Sequence, residues 1–143
     1  MKNLLAIYTL CVVILFLKML AISCYQGFHR IGKKAFKNAE DAQFVGATPH
    51  SDEVPQVLRA AQAWMNDLEN IPVFFVLGAL CVVLNTDAAW TMSLFIIFTV
   101  ARITHTVTYL NSMQPWRSIS YAVAILCLLV MAGMLAIKAM NCL

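Results

Sequence analysis

Residues 88–110 read AAWTMSLFIIFTVARITHTVTYL, and this stretch decides the fold of the 143-residue chain. It is longer than the roughly 20 residues that an apolar helix needs to cross the hydrocarbon core of a bilayer. Arg102 lies inside it, although an arginine near the centre of a spanning helix costs roughly 2.5 to 3.5 kcal/mol on insertion scales. Such a residue normally faces a partner, a ligand or a watery cavity. The sequence therefore predicts a functional site around Arg102.

The composition extends this interpretation to the whole chain, because 62% of the residues are hydrophobic and only 12% are charged. Soluble domains are far less apolar. We predict an all-α integral membrane protein, with one domain spanning residues 1–143 and folded as an up-down bundle of four transmembrane helices. The helices are expected at about 4–36, 52–84, 88–110 and 116–140, with a loop at about 37–51. Short turns before the third and fourth helices imply antiparallel neighbours.

The first apolar run, from about Leu4 to Tyr25, is interpreted as a retained helix and not as a signal peptide, because Lys18 interrupts it. Lys18 either snorkels to an interface or pairs with an acidic residue inside the bundle. Asp52 is expected to cap the second helix, with Pro55 in its first turn and Pro72 inside it. Neither a zinc site nor a disulfide framework is indicated, because five cysteines are scattered without a C-x-x-C pair: Cys11, Cys24, Cys81, Cys127 and Cys142.

Basic residues predict the orientation of the chain. The net charge is only +3, and no nucleic-acid partner is expected from it. By the positive-inside rule the first long loop is cytoplasmic and both termini are outside. Anionic membrane lipid is the expected partner of the lysines in this group. The flanking cations are Arg30, Lys33, Lys34, Lys37 and Arg59.

Polar side chains of the four helices are predicted to meet at one depth. At 100° per residue the second helix gathers five of them within about a hundred degrees: Arg59, Gln62, Asn66, Glu69 and Asn70. On the third helix Arg102, His105 and Tyr109 fall within about sixty degrees. Since the up-down topology brings these parts to the cytoplasmic half, we predict one cationic cavity there. Its charges would be Arg30, Arg59, Arg102 and Arg117 against Glu69, with Asp67 as a further candidate.

Such a cavity suits a small anionic ligand that reacts with or binds beside an apolar ligand from the bilayer. Arginine guanidinium groups bind carboxylates in a two-pronged way, and tyrosine hydroxyls can orient the remainder of the anionic ligand. A structural alternative is that these groups only hold the helices together through hydrogen bonds.

An ordered set of motifs resembles the MAPEG family, the membrane-associated proteins of eicosanoid and glutathione metabolism, and in particular its glutathione transferase and prostaglandin E synthase branch. The motifs run from about residue 30 to residue 121: KKAF at 33–36, NAED at 38–41, NDLENIP at 66–72, ARITHTVTYL at 101–110 and RSISY at 117–121. The resemblance implies a homotrimer that holds glutathione between neighbouring subunits near the cytoplasmic side, in a bacterial inner membrane or the endoplasmic reticulum, without a metal.

Site residues follow from the resemblance by motif position. Arg117, aided by Ser118 and Asp41, would activate the glutathione thiol. Glutathione would be bound by Arg30, Asn66, Glu69, Arg102, His105, Tyr109, Arg117, Ser118 and Tyr121. The implied activity is a glutathione transferase or peroxidase acting on lipophilic electrophiles or lipid hydroperoxides from the bilayer.

Two alternatives stay open. The branch usually has an arginine and a histidine where this chain has Gln62 and Trp64, and this difference favours a non-catalytic lipid-binding scaffold. Ala39 also replaces the usual proline of the turn before Asp41. A small four-helix transporter would need ionisable groups with access from both sides, and the one-sided polar layer disfavours it.

Overall fold

The computed structural model describes residues 2–141, and every regular element in that range is helical. The elements are α1 (Lys2–Lys33), α2 (Ala39–Phe44), α3 (Pro55–Val83), α4 (Ala88–Leu110) and α5 (Trp116–Met140). All but the short α2 are long and apolar enough to cross a membrane. The prediction of an all-α chain with four candidate membrane-spanning helices is thus confirmed.

The ends of α1, α3 and α4 share one backbone motif. At the end of α1, Lys34 has φ 49°. The N–H of Lys34 donates to the carbonyl of Ile31, and the N–H of Ala35 donates to the carbonyl of Arg30, each at 3.1 Å. Asn85 and Ser112 take the same left-handed conformation after α3 and α4. This Schellman arrangement satisfies carbonyls that would otherwise lack partners. It also ends α1 three residues earlier than the predicted residue 36.

The start of α3 differs from the prediction. The helix begins at Pro55 instead of near residue 52, and Val54 is its N-cap without a side-chain hydrogen bond. Asp52 therefore does not cap it, and its carboxylate accepts a hydrogen bond from the hydroxyl of Ser51 at 3.2 Å. Proline at the first helical position has no N–H that needs a cap, which explains why the helix can start here. Further along, α3 continues through Pro72.

A buried aromatic core lies between the two ends of the bundle. Phe74 of α3 stacks on Phe98 of α4 with ring centroids 4.4 Å apart, and Phe95 meets Phe74 edge-on at 5.6 Å. All three rings are fully buried. Because α3 and α4 run in opposite directions, Asp67 before this core and Arg102 after it come to the same level. The apolar core thus forms the floor beneath a polar end of the bundle.

Within residues 2–141 the cysteines Cys11, Cys24, Cys81 and Cys127 are unpaired, and Cys142 lies outside the described residues. The same range contains no cluster of three histidine, cysteine or acidic side chains that could bind a metal.

Candidate functional site

Three helices form an open cleft of about 260 Å³ at the polar end of the bundle. Six of the nine residues predicted to bind glutathione line it: Asn66, His105, Tyr109, Arg117, Ser118 and Tyr121. Helical spacing explains the grouping, because residues three or four apart share a face of a helix. The turn at 111–115 folds α5 back along α4, so the last turns of α4 and the first turn of α5 meet.

Arg117 is held in this cleft by two neighbours. Its guanidinium carbon lies 4.7 Å from the centre of the Tyr109 ring, which is a cation–π contact. An arginine has only donors, so the side-chain oxygen of Gln114 must face it. In that orientation the Gln114 oxygen accepts from Nη2 at 2.6 Å and from Nε at 3.1 Å. Arg117 Nη1 has no hydrogen-bond partner among residues 2–141 and remains available for a ligand.

The same glutamine sets the direction of the Ser118 hydroxyl. With its oxygen facing Arg117, the Gln114 amide nitrogen donates to Ser118 Oγ at 3.1 Å. Ser118 is then an acceptor toward Gln114, and its own hydroxyl hydrogen is free to donate into the cleft. Gln114 was not among the predicted site residues, and it lies in the turn just before α5, within hydrogen-bond distance of Arg117 and Ser118.

His105 and two tyrosines form the aromatic wall of the cleft. The His105 ring lies 5.6 Å from that of Tyr109 and 6.0 Å from that of Tyr121. The Tyr109 hydroxyl donates to Gln62 Oε1 at 3.2 Å. A side chain at position 62 must carry an acceptor atom to receive this bond, as the glutamine does.

Arg102 lies behind the cleft wall in a buried ionic cluster. Both Arg102 and Asp67 have completely buried side chains. Arg102 Nη2 donates to Asp67 Oδ1 at 2.5 Å and to Asn66 Oδ1 at 2.8 Å. Lys18 Nζ donates to the other oxygen of Asp67. Of the two interpretations of Lys18, the structure shows pairing with an acid inside the bundle.

Arg30 and Asp41 lie apart from this cleft. They line a smaller one of about 130 Å³ beside the loop between α1 and α3. Arg30 Nη2 donates to Glu53 Oε2 at 2.7 Å, and this hydrogen bond is the main cause that lowers the pKa of Glu53 below its usual value. Asp41 accepts from Asn38 Nδ2 at 3.2 Å. Asp41 is therefore not part of the cleft that contains Arg117 in the described structure.

The prediction of a single cavity is wrong for the described residues, because they form several separate clefts. Arg59 lines a third cleft, of about 230 Å³, and Glu69 is exposed on the surface of α3. The acidic partner of Arg102 is Asp67 and not Glu69. The physical reason is that the polar groups lie at a similar depth but on different faces of their helices, so a common level does not produce a common cavity.

A larger groove of about 340 Å³ lies between α4 and α5 on the opposite face of α5 from Arg117. Its walls are almost entirely apolar: Ile96, Ile97, Val100, Ala101, Thr104, Trp116, Ile119, Ser120 and Val123. It offers no charged group to an anionic ligand. The charged residues that line clefts at the polar end of the bundle belong to the smaller clefts.

Four apolar helices with a polar, arginine-bearing cleft at one end fit a multi-pass membrane protein with a candidate ligand site at the end of its bundle. Residues 8–137 match the MAPEG family, and the chain belongs to that family. It is 38% identical over 120 residues to the prostaglandin E synthase of Homo sapiens, a match that covers 82% of this chain and 78% of the relative. The prostaglandin E synthase of Bos taurus is 36% identical over 118 residues, covering 82% and 77%. The microsomal glutathione S-transferase 1 of Homo sapiens is 34% identical over 111 residues, covering 74% and 72%.

Proposed function

We propose that this protein is a membrane-bound, glutathione-dependent transferase with peroxidase activity, working as a homotrimer with its site toward the cytoplasm. The observation that carries the proposal is the pair Arg117 and Ser118, both aimed into a cleft that they share with His105 and two tyrosines. Among the relatives, a glutathione S-transferase and prostaglandin E synthases match this chain across most of its length.

The chemical task in this proposal is to hold glutathione as a thiolate. An unperturbed thiol titrates at about 8.5, so only about 3% of it is ionised at pH 7. Arginine cannot remove the proton, but a guanidinium beside the sulfur favours the charged form and can lower the thiol pKa by 1 to 3 units. Arg117 Nη1 and the free hydroxyl hydrogen of Ser118 are the two donors suited to this role. Arg117 and Ser118 are thus the proposed catalytic residues.

The remaining predicted residues bind the rest of the tripeptide in this proposal. His105, Tyr109 and Tyr121 provide the wall, and Asn66 provides an amide. Three predicted residues, Arg30, Glu69 and Asp41, lie outside this cleft. In the proposed trimer they would contact the glutathione that is bound in the cleft of a neighbouring subunit. The second substrate, a lipophilic electrophile or lipid hydroperoxide, enters from the bilayer. The thiolate sulfur then bonds to the electrophilic carbon as the leaving group departs with the electron pair of its bond to that carbon. With a hydroperoxide, the sulfur instead bonds to the terminal oxygen as the O–O bond breaks, which gives an alkoxide that takes up a proton and a glutathione sulfenic acid; a second glutathione then reduces the sulfenic acid to glutathione disulfide and water.

Titration of the detergent-purified full-length protein with glutathione, followed by a conjugation assay with small lipophilic electrophiles, tests this function. We expect saturable glutathione binding and a conjugation rate above that of free glutathione. Binding of lipid without binding of glutathione would support the scaffold alternative and contradict the proposal. Glutathione binding without turnover of electrophiles or hydroperoxides would contradict the assigned activity alone.

A further inference from the structure

A hydrogen-bonded chain crosses the bundle from α1 to the cleft wall. It begins at Lys18 of α1, passes through Asp67 of α3 and Arg102 of α4, and ends at Asn66, which lines the cleft. The first three residues do not line the cleft themselves. Charged groups buried in a membrane bundle are costly and normally functional, and among the described residues the hydrogen bond that joins this cluster to the cleft lining is the one from Arg102 to the Asn66 amide.

The last link of this chain fixes which end of the Asn66 amide faces the cleft. Arg102 has only N–H donors, so the atom of Asn66 that contacts it at 2.8 Å must be the carbonyl oxygen. The amide nitrogen, with its two N–H groups, is then the atom left for a ligand. Asn66 on its own could present either end, since the two orientations have the same shape. Arg102 removes that ambiguity.

The first link explains why Lys18 is needed. Asp67 has two carboxylate oxygens, and Lys18 occupies one while Arg102 Nη2 bonds the other. Arg102 Nε and Nη1 have no partner among the described residues. Without Lys18 both oxygens of Asp67 could form the two-pronged pair that arginine favours with a carboxylate. Arg102 would then turn toward Asp67, and the bond to Asn66 would weaken.

We infer that Lys18, Asp67 and Arg102 are positioning residues that lock the Asn66 amide with its nitrogen toward the cleft, so that Asn66 selects a ligand group that accepts hydrogen bonds. Carboxylate and peptide carbonyl oxygens are such groups. The inference rests on the proposed function for the identity of the ligand, glutathione, which carries both. Arg102 accordingly acts on the ligand through Asn66.

Asn66→Asp tests the direction of the amide. The new carboxylate can still accept from Arg102, so the ionic chain and the fold are retained, but no donor faces the cleft. We expect the Kd of glutathione to rise roughly 10- to 100-fold, because a hydrogen bond to a charged or polar acceptor is lost. The melting temperature should stay close to that of the wild type. An unchanged Kd in a folded variant would overturn the inference.

Lys18→Met tests the remote end of the chain. We expect the KM for glutathione to rise roughly tenfold with kcat nearly unchanged, because an uncharged hydrogen bond to the ligand is weakened. The melting temperature should change little, since Asp67 and Arg102 remain as a balanced pair. Lys18→Arg keeps the cation and should restore much of the affinity. A purely structural role would lower stability without this separation of KM from kcat.

Lys138→Met is the matched control, because Lys138 lies at the opposite end of the bundle and lines a different cleft. It should leave the KM for glutathione unchanged. If wild-type protein binds glutathione and Lys18→Met binds it equally well while folded, the positioning role is wrong and the proposed function stands. If the wild type does not bind glutathione, the proposed function is wrong and this inference falls with it.

Discussion

Arg117→Ala is expected to slow glutathione conjugation about 8- to 30-fold at pH 7, as a shift of 1 to 3 units in the thiol pKa requires, and most of the loss should disappear as the pH approaches 9. Without the guanidinium the bound thiol returns toward its ordinary pKa of about 8.5, where about 3% is thiolate at pH 7. Raising the pH restores the thiolate without the arginine. The rate of conjugation measured across this pH range, at saturating glutathione and fixed electrophile, gives the comparison with the wild type.

Two further variants sharpen this experiment. Arg117→Lys keeps the charge but loses the planar fork that Gln114 and Tyr109 hold, so its rate should be intermediate. Lys138→Ala removes a cation from the far end of the same helix and should behave as the wild type. A rate for Arg117→Ala equal to that of the wild type at pH 7 would remove Arg117 from the proposed chemistry.

Asp67→Asn should lower the free energy of unfolding by about 3 to 5 kcal/mol. The Asp67 carboxylate is the shared partner of Lys18 and Arg102, and its neutralisation leaves two cations together in the interior of the bundle. Removing one partner of a buried ion pair typically has a cost of this size, because the remaining charge is uncompensated. Reversible unfolding of the purified protein in detergent measures the change.

Asp52→Asn serves as the control for Asp67→Asn. Asp52 is exposed and bonded only to its neighbour Ser51, so its neutralisation should change stability by less than about 0.5 kcal/mol. In the double variant Asp67→Asn with Lys18→Met, one of the two uncompensated cations is gone, and part of the lost stability should return. Equal stability of Asp67→Asn and the wild type would show that the buried cluster does not hold the helices together.

The sequence predicted the helices well because apolar length alone distinguishes a spanning helix from other structure. Helix ends were predicted less well, since they depend on individual backbone conformations. Lys34 takes the left-handed conformation that ends α1. Glycine or asparagine usually occupies such a position, so the lysine gave no sign of the helix end in the sequence. The start of α3 lies at Pro55, which has no N–H to cap, and the Asp52 carboxylate that was expected to cap the helix bonds Ser51.

The sequence did not predict how the polar residues divide among separate clefts. Helical spacing and motif order placed six residues that the cleft does bring together. Spacing along one helix gives the face of a side chain but not its partner on another helix. For that reason the pairing of Arg102 with Asp67, and the roles of Gln114 and Gln62, became visible only in three dimensions.

The ionisation state of glutathione in the cleft tests the central claim most directly. The ultraviolet difference absorbance of the thiolate can be followed while the wild-type protein, saturated with glutathione, is titrated with base. The account predicts a bound thiol that ionises at least one pH unit below the free thiol, and loss of that shift in Arg117→Ala. A bound thiol that titrates at the same pH as free glutathione would contradict it.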